Sequence, residues 1–190
     1  ANIAPAPDKY GIKFEATNSD VNINSNVGQF SIITKGTIGR GIIGSSSSGT
    51  VSINSMGNIV SGAHGIFAYA YDGAVSINSM GNIVSGQEGI YGRADVGAVS
   101  ITSIGNIDAN KEGISGDSKN GAVTITSTGN IHSQNRAGIK GTAVGGAVSI
   151  NTIGNIVSDA QYGIRGSSTD GAVSIDSTGN IDAYWKGIDA

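Results

Sequence analysis

The 190-residue chain has no cysteine, so a disulfide framework, a thiolate zinc site and a cysteine nucleophile are all excluded, and stability must come from packing. Proline occurs twice, aromatic residues make up 5% and charged residues 13%, about half the charged share of an ordinary globular domain. The balance of 11 Lys and Arg against 14 Asp and Glu leaves a net charge of −3. That gives no broad attraction to nucleic acid or to an anionic membrane, so nucleic acid is not an expected partner and any anion site must be local. The longest apolar run, around Gly65–Tyr71, falls far short of the roughly 20 residues that span a bilayer, so no direct membrane insertion of this segment is expected. The opening ANIAPAPDKY lacks the basic and apolar regions of a signal peptide, and a targeting segment is expected to have been removed or never present.

Glycine, by contrast, is abundant at 31 residues, and it is placed periodically. One phrase recurs as VSINSMGNI from Val51 and Val75, VSITSIGNI from Val99, VTITSTGNI from Val123, VSINTIGNI from Val148 and VSIDSTGNI from Val173, at spacings of 24, 24, 24, 25 and 25 residues. Each unit then carries a Gly-Ile pair, at Gly65, Gly89, Gly113, Gly138, Gly163 and Gly187. A degenerate copy, FSIITKGTI from Phe30 with a return through Gly41-Ile42, extends the series, which divides the chain into an N-terminal degenerate or capping part over 1–29 and repeats over 30–190. The last unit stops in its third segment at Ala190, and the expectation is an excised fragment truncated at its C-terminal end, or a chain end that pairs with another copy.

A fixed period of this length means a solenoid, in which each unit buries its apolar face against its neighbours. Segments of about five β-branched residues, punctuated by Gly and Asn, do not supply a helix per repeat. The reading is an all-β parallel β-helix with three short strands per 24–25-residue coil and about seven coils. Alternation assigns the faces. Val51 and Ile53 point in while Ser52 and Asn54 point out. Ile59 points in, and the next column, Val60, Val84, Asp108, His132, Val157 and Asp182, points out. Ile66 points in, and Phe67, Tyr91, Ser115, Lys140, Arg165 and Asp189 point out. Gly57-Asn58 and its copies mark a corner, where Asn is expected to bond local main chain.

The GAVSI…GNI…GI units over Phe30–Ala190 resemble the passenger domains of bacterial autotransporters, especially the Gly/Ser/Asn-rich repeats of alphaproteobacterial ones. The resemblance implies export by a signal peptide, a C-terminal barrel in the outer membrane and a right-handed β-helix as the exported part. It also implies a secreted or bacterial cell-surface location. A narrower resemblance is to the proangiogenic autotransporters of Bartonella, whose passengers signal through a host growth-factor receptor, although no single residue carries that link.

Enzymatic chemistry finds no footing in the residues. The only histidines, His64 and His132, read as exposed surface residues, and no GxSxG element surrounds any serine. Without paired carboxylates at ligand spacing a zinc site is not expected, and no cofactor is implied. For a polysaccharide-cleaving β-helix, Asp176 is alone in its column, and Asp108 and Asp182 are three coils or roughly 14 Å apart by the strand spacing. The usual window for glycosidase carboxylates is about 5–9.5 Å. An ice-binding face would need ordered Thr-x-Thr, whereas the outward Ser52 column is flanked mostly by Asn.

Binding is the remaining reading. Aromatic and basic residues gather beside each Gly-Ile pair: His64, Phe67, Tyr69 and Tyr71, then Glu88, Tyr91 and Arg93, then Lys111 and Glu112, and later Arg136, Lys140, Tyr162, Arg165, Tyr184, Trp185 and Lys186. Tyr, Trp and Arg anchor protein interfaces. Lys140 and Arg165 fall one coil apart in one outward column, a like-charge contact that a bound sulfate or carboxylate would relieve. The expected function is attachment to a host cell-surface component, a protein receptor or a glycosaminoglycan; the alternative is a stalk that carries a distal domain.

Overall fold

The computed structural model describes residues 10–25, 32–34 and 39–190, and these form a right-handed parallel β-helix. Its three sheets hold eight, seven and seven strands, each paired in parallel with its counterpart one coil away. One coil runs Val51–Met56, Ile59–Ser61 and Ile66–Ala70, and the same triple recurs to the end of the chain. We refer to the corresponding sheets as the Val, short and Gly-Ile sheets.

Register follows the repeat residue for residue. Val51 faces Val75, Val75 faces Val99, and Ile66 faces Ile90, so like stacks on like along the axis. In the interior coils the inward positions are buried, while those of the first and last coils are partly open, and Ile53, Ile77, Ile101 and Ile125 form one continuous file at 0–1% exposure. Fully burying each such side chain stabilises the fold by about 1.5–3 kcal/mol before conformational entropy is subtracted. The Val and Gly-Ile sheets press closely together. A Cβ added to Gly116 would lie 2.9 Å from Val123 Cγ1, which explains why this inward column reads Gly44, Ala68, Gly92, Gly116, Gly141 and Gly166.

The first corner depends on glycine at Gly57, Gly81, Gly105, Gly129, Gly154 and Gly179, all with φ between 127° and 137°. Beside it runs an asparagine ladder. The backbone N–H of Asn82 donates to Asn58 Oδ1 at 2.9 Å, and the arrangement repeats through Asn106, Asn130, Asn155 and Asn180. The Asn column is therefore structural, but its bond reaches the next coil and not the local main chain, because the corner stacks in register. The second set of staples is serine: Ser118 Oγ donates to Gly97 O and accepts from Gly121 N–H, tying one corner to the coil before it. Inward hydroxyls of Ser79, Ser103, Ser127, Thr152 and Ser177 are buried without a partner among the described residues.

The N-terminal copy has a different register from the one read by eye. Val21–Ser25 pairs with Val51–Ser55, and Ile32 pairs with Ile59, not with Ile53 as the FSIITKGTI alignment required. Phe30, Ser31 and residues 35–38 of that phrase lie outside the described residues. Gly41-Ile42 does occupy the Gly65-Ile66 position. The coil is 30 residues long from Val21 to Val51, with additional residues on both sides of the short strand, and this breaks the period that guided the alignment. Ile12–Ala16 is a further strand of the Gly-Ile sheet, so the described part of 1–29 belongs to the stack.

Candidate binding face

The Gly-Ile sheet and its two flanking corners carry nearly all the described aromatic and basic side chains, and stacking at one coil per step brings residues 24 or 25 apart into contact. Among the described residues three groups result.

The first is aromatic. His64 and Phe67 rings are 5.3 Å apart, Phe67 and Tyr91 meet edge to face at 5.5 Å, and Arg40 lies 5.5 Å over Phe67. His64, read from sequence as an exposed surface residue, is only 7% exposed. Its ring is covered by Phe67 and Tyr91, and Nδ1 sits 2.7 Å from Glu88 Oε2 in an off-axis ion contact. Lys111 approaches the other oxygen of Glu88 at 3.7 Å, and Arg136 approaches Glu112 at 3.7 Å. Burial pushes the Glu88 carboxyl upward, but its close contact with His64 together with the Lys111 charge prevails and holds it below its ordinary range. Burial, with the Asp117 charge, raises the Tyr91 phenol. His64 thus underpins the face from below and is not available as a contact residue.

The second group surrounds Asp95. Its carboxylate accepts from Arg93 at 3.1 and 3.2 Å, from Lys119 at 2.8 Å and from the Tyr69 hydroxyl at 3.4 Å. The Lys119 hydrogen bond, partly opposed by burial and aided by Arg93, lowers the Asp95 pKa. Arg93 also lies 5.7 Å over the Tyr69 ring, so this tyrosine is held from one side.

The third group lies in the last coils. Lys140 and Arg165 are direct cross-strand neighbours, as the repeat implies. Their repulsion is relieved inside the protein, since Lys140 bonds Asp117 at 3.0 Å and Arg165 approaches Asp189 at 3.6 Å. The like-charge contact that pointed to an external anion is thus relieved within the protein, each cation turning to a carboxylate on its far side. Lys186 also bonds Asp189, which raises the Lys186 pKa. Arg165 stacks over Tyr162 at 5.1 Å, and Tyr162 meets Trp185 edge to face at 5.7 Å. Tyr184 points away at the neighbouring corner, 73% exposed, and Tyr71 stands clear of the ion pairs. Asp95, Asp117, Lys119 and Arg40 are not legible in the sequence as parts of these groups, because scattered acids and bases look like solubility until stacking shows whom they touch.

On the short sheet, His132 has a carboxylate at each ring nitrogen, Asp108 at 2.9 Å from Nδ1 and Asp159 at 3.0 Å from Nε2. Carboxylates do therefore flank a histidine, against the sequence expectation, because Asp108 comes from the preceding coil and Asp159 from the following one. They lie on opposite sides of the ring, and among the described residues no three His, Asp or Glu side chains converge on a metal position. The Asp159 hydrogen bond, opposed by burial and aided by Asp108, raises the His132 pKa above its ordinary 6.5. A raised folded-state pKa stabilises the native state fully below about pH 6.5 and loses that contribution as pH climbs through the folded value. His132→Gln is expected to lower the thermal midpoint at pH 5.5 and to have much less effect at pH 8.5, by under about 1 kcal/mol because the ring is partly solvated. Equal losses at both pH values in thermal melts would remove the charge-based account.

No protein-family model matches the chain, and neither a search of curated proteins nor a search of solved structures returned a match.

Proposed function

We propose that this chain is an extracellular binding module of the autotransporter-passenger type, attaching to a host cell-surface component through the outward face of its Gly-Ile sheet. The supporting observation is the asymmetry of the three faces. Phe67, Tyr69, Tyr91, Arg93, Lys140 and Arg165 all project from one sheet, while the Val sheet presents ladders of Ser, Thr and Asn beside an exposed aliphatic file of Met80, Ile104 and Ile153, with no aromatic or basic side chain among its described residues. A prism with one decorated side has a direction from which a partner gains area and anchoring side chains.

The charge pattern favours a protein or an uncharged ligand over a glycosaminoglycan, since Arg93, Lys119, Lys140 and Arg165 are already engaged by Asp95, Asp117 and Asp189. Labelled domain is expected to bind cultured animal cells saturably, with excess heparin leaving most of the binding in place. The triple variant Tyr91→Ala, Arg165→Ala and Trp185→Ala, checked for folding by circular dichroism, is expected to lose most of it. No saturable binding at micromolar concentration would sink this reading. A stalk is the second reading, favoured by the identity of Val51–Ser61 with Val75–Ser85, which suits a spacer more than a tailored surface.

A further inference from the structure

The decorated face is interrupted at one place. In the column Glu15, Ser45, Tyr69 and Arg93 the second coil contributes only serine, and at the adjoining corner Ser47 precedes Tyr71 in the same way. The segment Gly44-Ser-Ser-Ser-Ser-Gly49 therefore leaves these two columns without bulk in one coil, although the adjoining outward column carries the buried Ile43. The outcome is an open depression of roughly 260 Å³ lined by Ala16, Ser45, Ser46, Ser47, Tyr69 and Tyr71. The coils on either side of it are two strand spacings apart, about 9–10 Å, which is room for one six-membered ring.

Its chemistry is consistent throughout. No charged side chain lines it. Tyr69 forms a fixed wall, braced from behind by Arg93 and anchored through its hydroxyl to Asp95. Tyr71 is 52% exposed, an amphipathic ring with no packing role that would account for it in a corner otherwise held by small residues. Ser46 is spent structurally, donating to Ser19 O and accepting from Gly49 N–H. Ser45, half-buried, and Ser47, exposed, line the depression beside it. Glu15 stands opposite Tyr69 across Ser45 and is neutralised by Lys13 at 3.0 Å.

We propose that this notch is a binding site for a single uncharged pyranose unit of a glycan. A sugar ring has an apolar C–H face that lies against the negative face of an aromatic ring, and a rim of hydroxyls that exchange hydrogen bonds with serine, which both donates and accepts. Tyrosine walls over a serine floor match those two requirements, and the absence of a free cation disfavours an acidic sugar. The proposal rests on the reading of the Gly-Ile face as a binding face and names its ligand class.

The test is saturation-transfer NMR of the whole chain with the methyl glycosides of glucose, galactose, mannose and N-acetylglucosamine, beside Ser45→Tyr and Tyr71→Ala. Ser45→Tyr fills the notch with the side chain that the next coil already carries, and Tyr71→Ala removes an exposed wall that packs little. Transfer to at least one glycoside, weakened tenfold or more in both variants, is the expected result. No transfer to any of the four at millimolar concentration, or transfer unchanged in Ser45→Tyr, overturns the proposal; if that variant does not fold, Tyr71→Ala decides alone. The same variants separate the two claims. Cell binding that is lost in the Tyr91, Arg165, Trp185 triple change, without transfer to any glycoside, keeps the receptor-facing module and removes the sugar site, whereas glycoside binding without cell binding does the reverse.

Discussion

Gly105→Ala is expected to destabilise the protein by about 2–6 kcal/mol. Two independent penalties combine there. The backbone has φ of 131°, in a region that L side chains rarely adopt, which costs about 1–3 kcal/mol. The new Cβ would also lie 2.4 Å from Gly81 O and 2.7 Å from its carbonyl carbon. That carbonyl belongs to an identical corner one coil below, so relaxation would have to propagate along the stack, and overpacking adds about 1–3 kcal/mol. Gly187→Ala is the control, because its Cβ would meet nothing closer than 3.7 Å; it should stay within about 0.5 kcal/mol of the parent. Urea unfolding of both variants measures the difference, and similar midpoints for the two would mean that the corner is more plastic than its geometry implies.

Ile125→Ala should cost about 2–5 kcal/mol, the range for truncating a fully buried aliphatic chain. Ile125 is 0% exposed, stacked between Ile101 and Ile150, and its Cδ1 closes the space at Gly116. A void there has few ways to collapse, since the chains above and below are held by their own ladders. The location of the damage is as informative as its size. In a solenoid each coil contacts only its neighbours, so amide protection should fall chiefly in the coils from Val99 to Ile153 and persist around Val51 to Ile66. Hydrogen exchange reads this directly, and uniform loss of protection would show that the stack unfolds as one cooperative unit.

The core was legible because the same residue returns to the same place. Ile53, Ile77, Ile101 and Ile125 are interchangeable in the sequence and superimposed in space, so alternation within one unit and repetition across units gave the same answer. Where the period lapses, legibility ends: the 30-residue coil from Val21 to Val51 shifted the reading of Ile32 from one sheet to another. The outward columns were assigned to the correct face, but their partners were hidden. Lys140 looked repelled by Arg165 until Asp117 and Asp189 appeared beyond them, and a corner histidine looked exposed until Phe67 and Tyr91 covered it. The serine notch is illegible in the sequence for a related reason. A gap in a surface is a property of its neighbours, and Ser45 says nothing by itself until Glu15 and Tyr69 stand on either side.

The hydrogen bonds between coils all point along the long axis, and this sets how the protein responds to mechanical load. Pulled from one end while anchored at the other, the terminal coil bears the tension first and peels away before the next is loaded. Each departing coil of 24 residues frees about 80 Å of slack at roughly 3.4 Å per residue, while the rod shortens by only one strand spacing, about 4.8 Å. A molecule built this way yields in measured steps and lengthens many times over without letting go at once, a shock absorber made from the same repetition that fills its core.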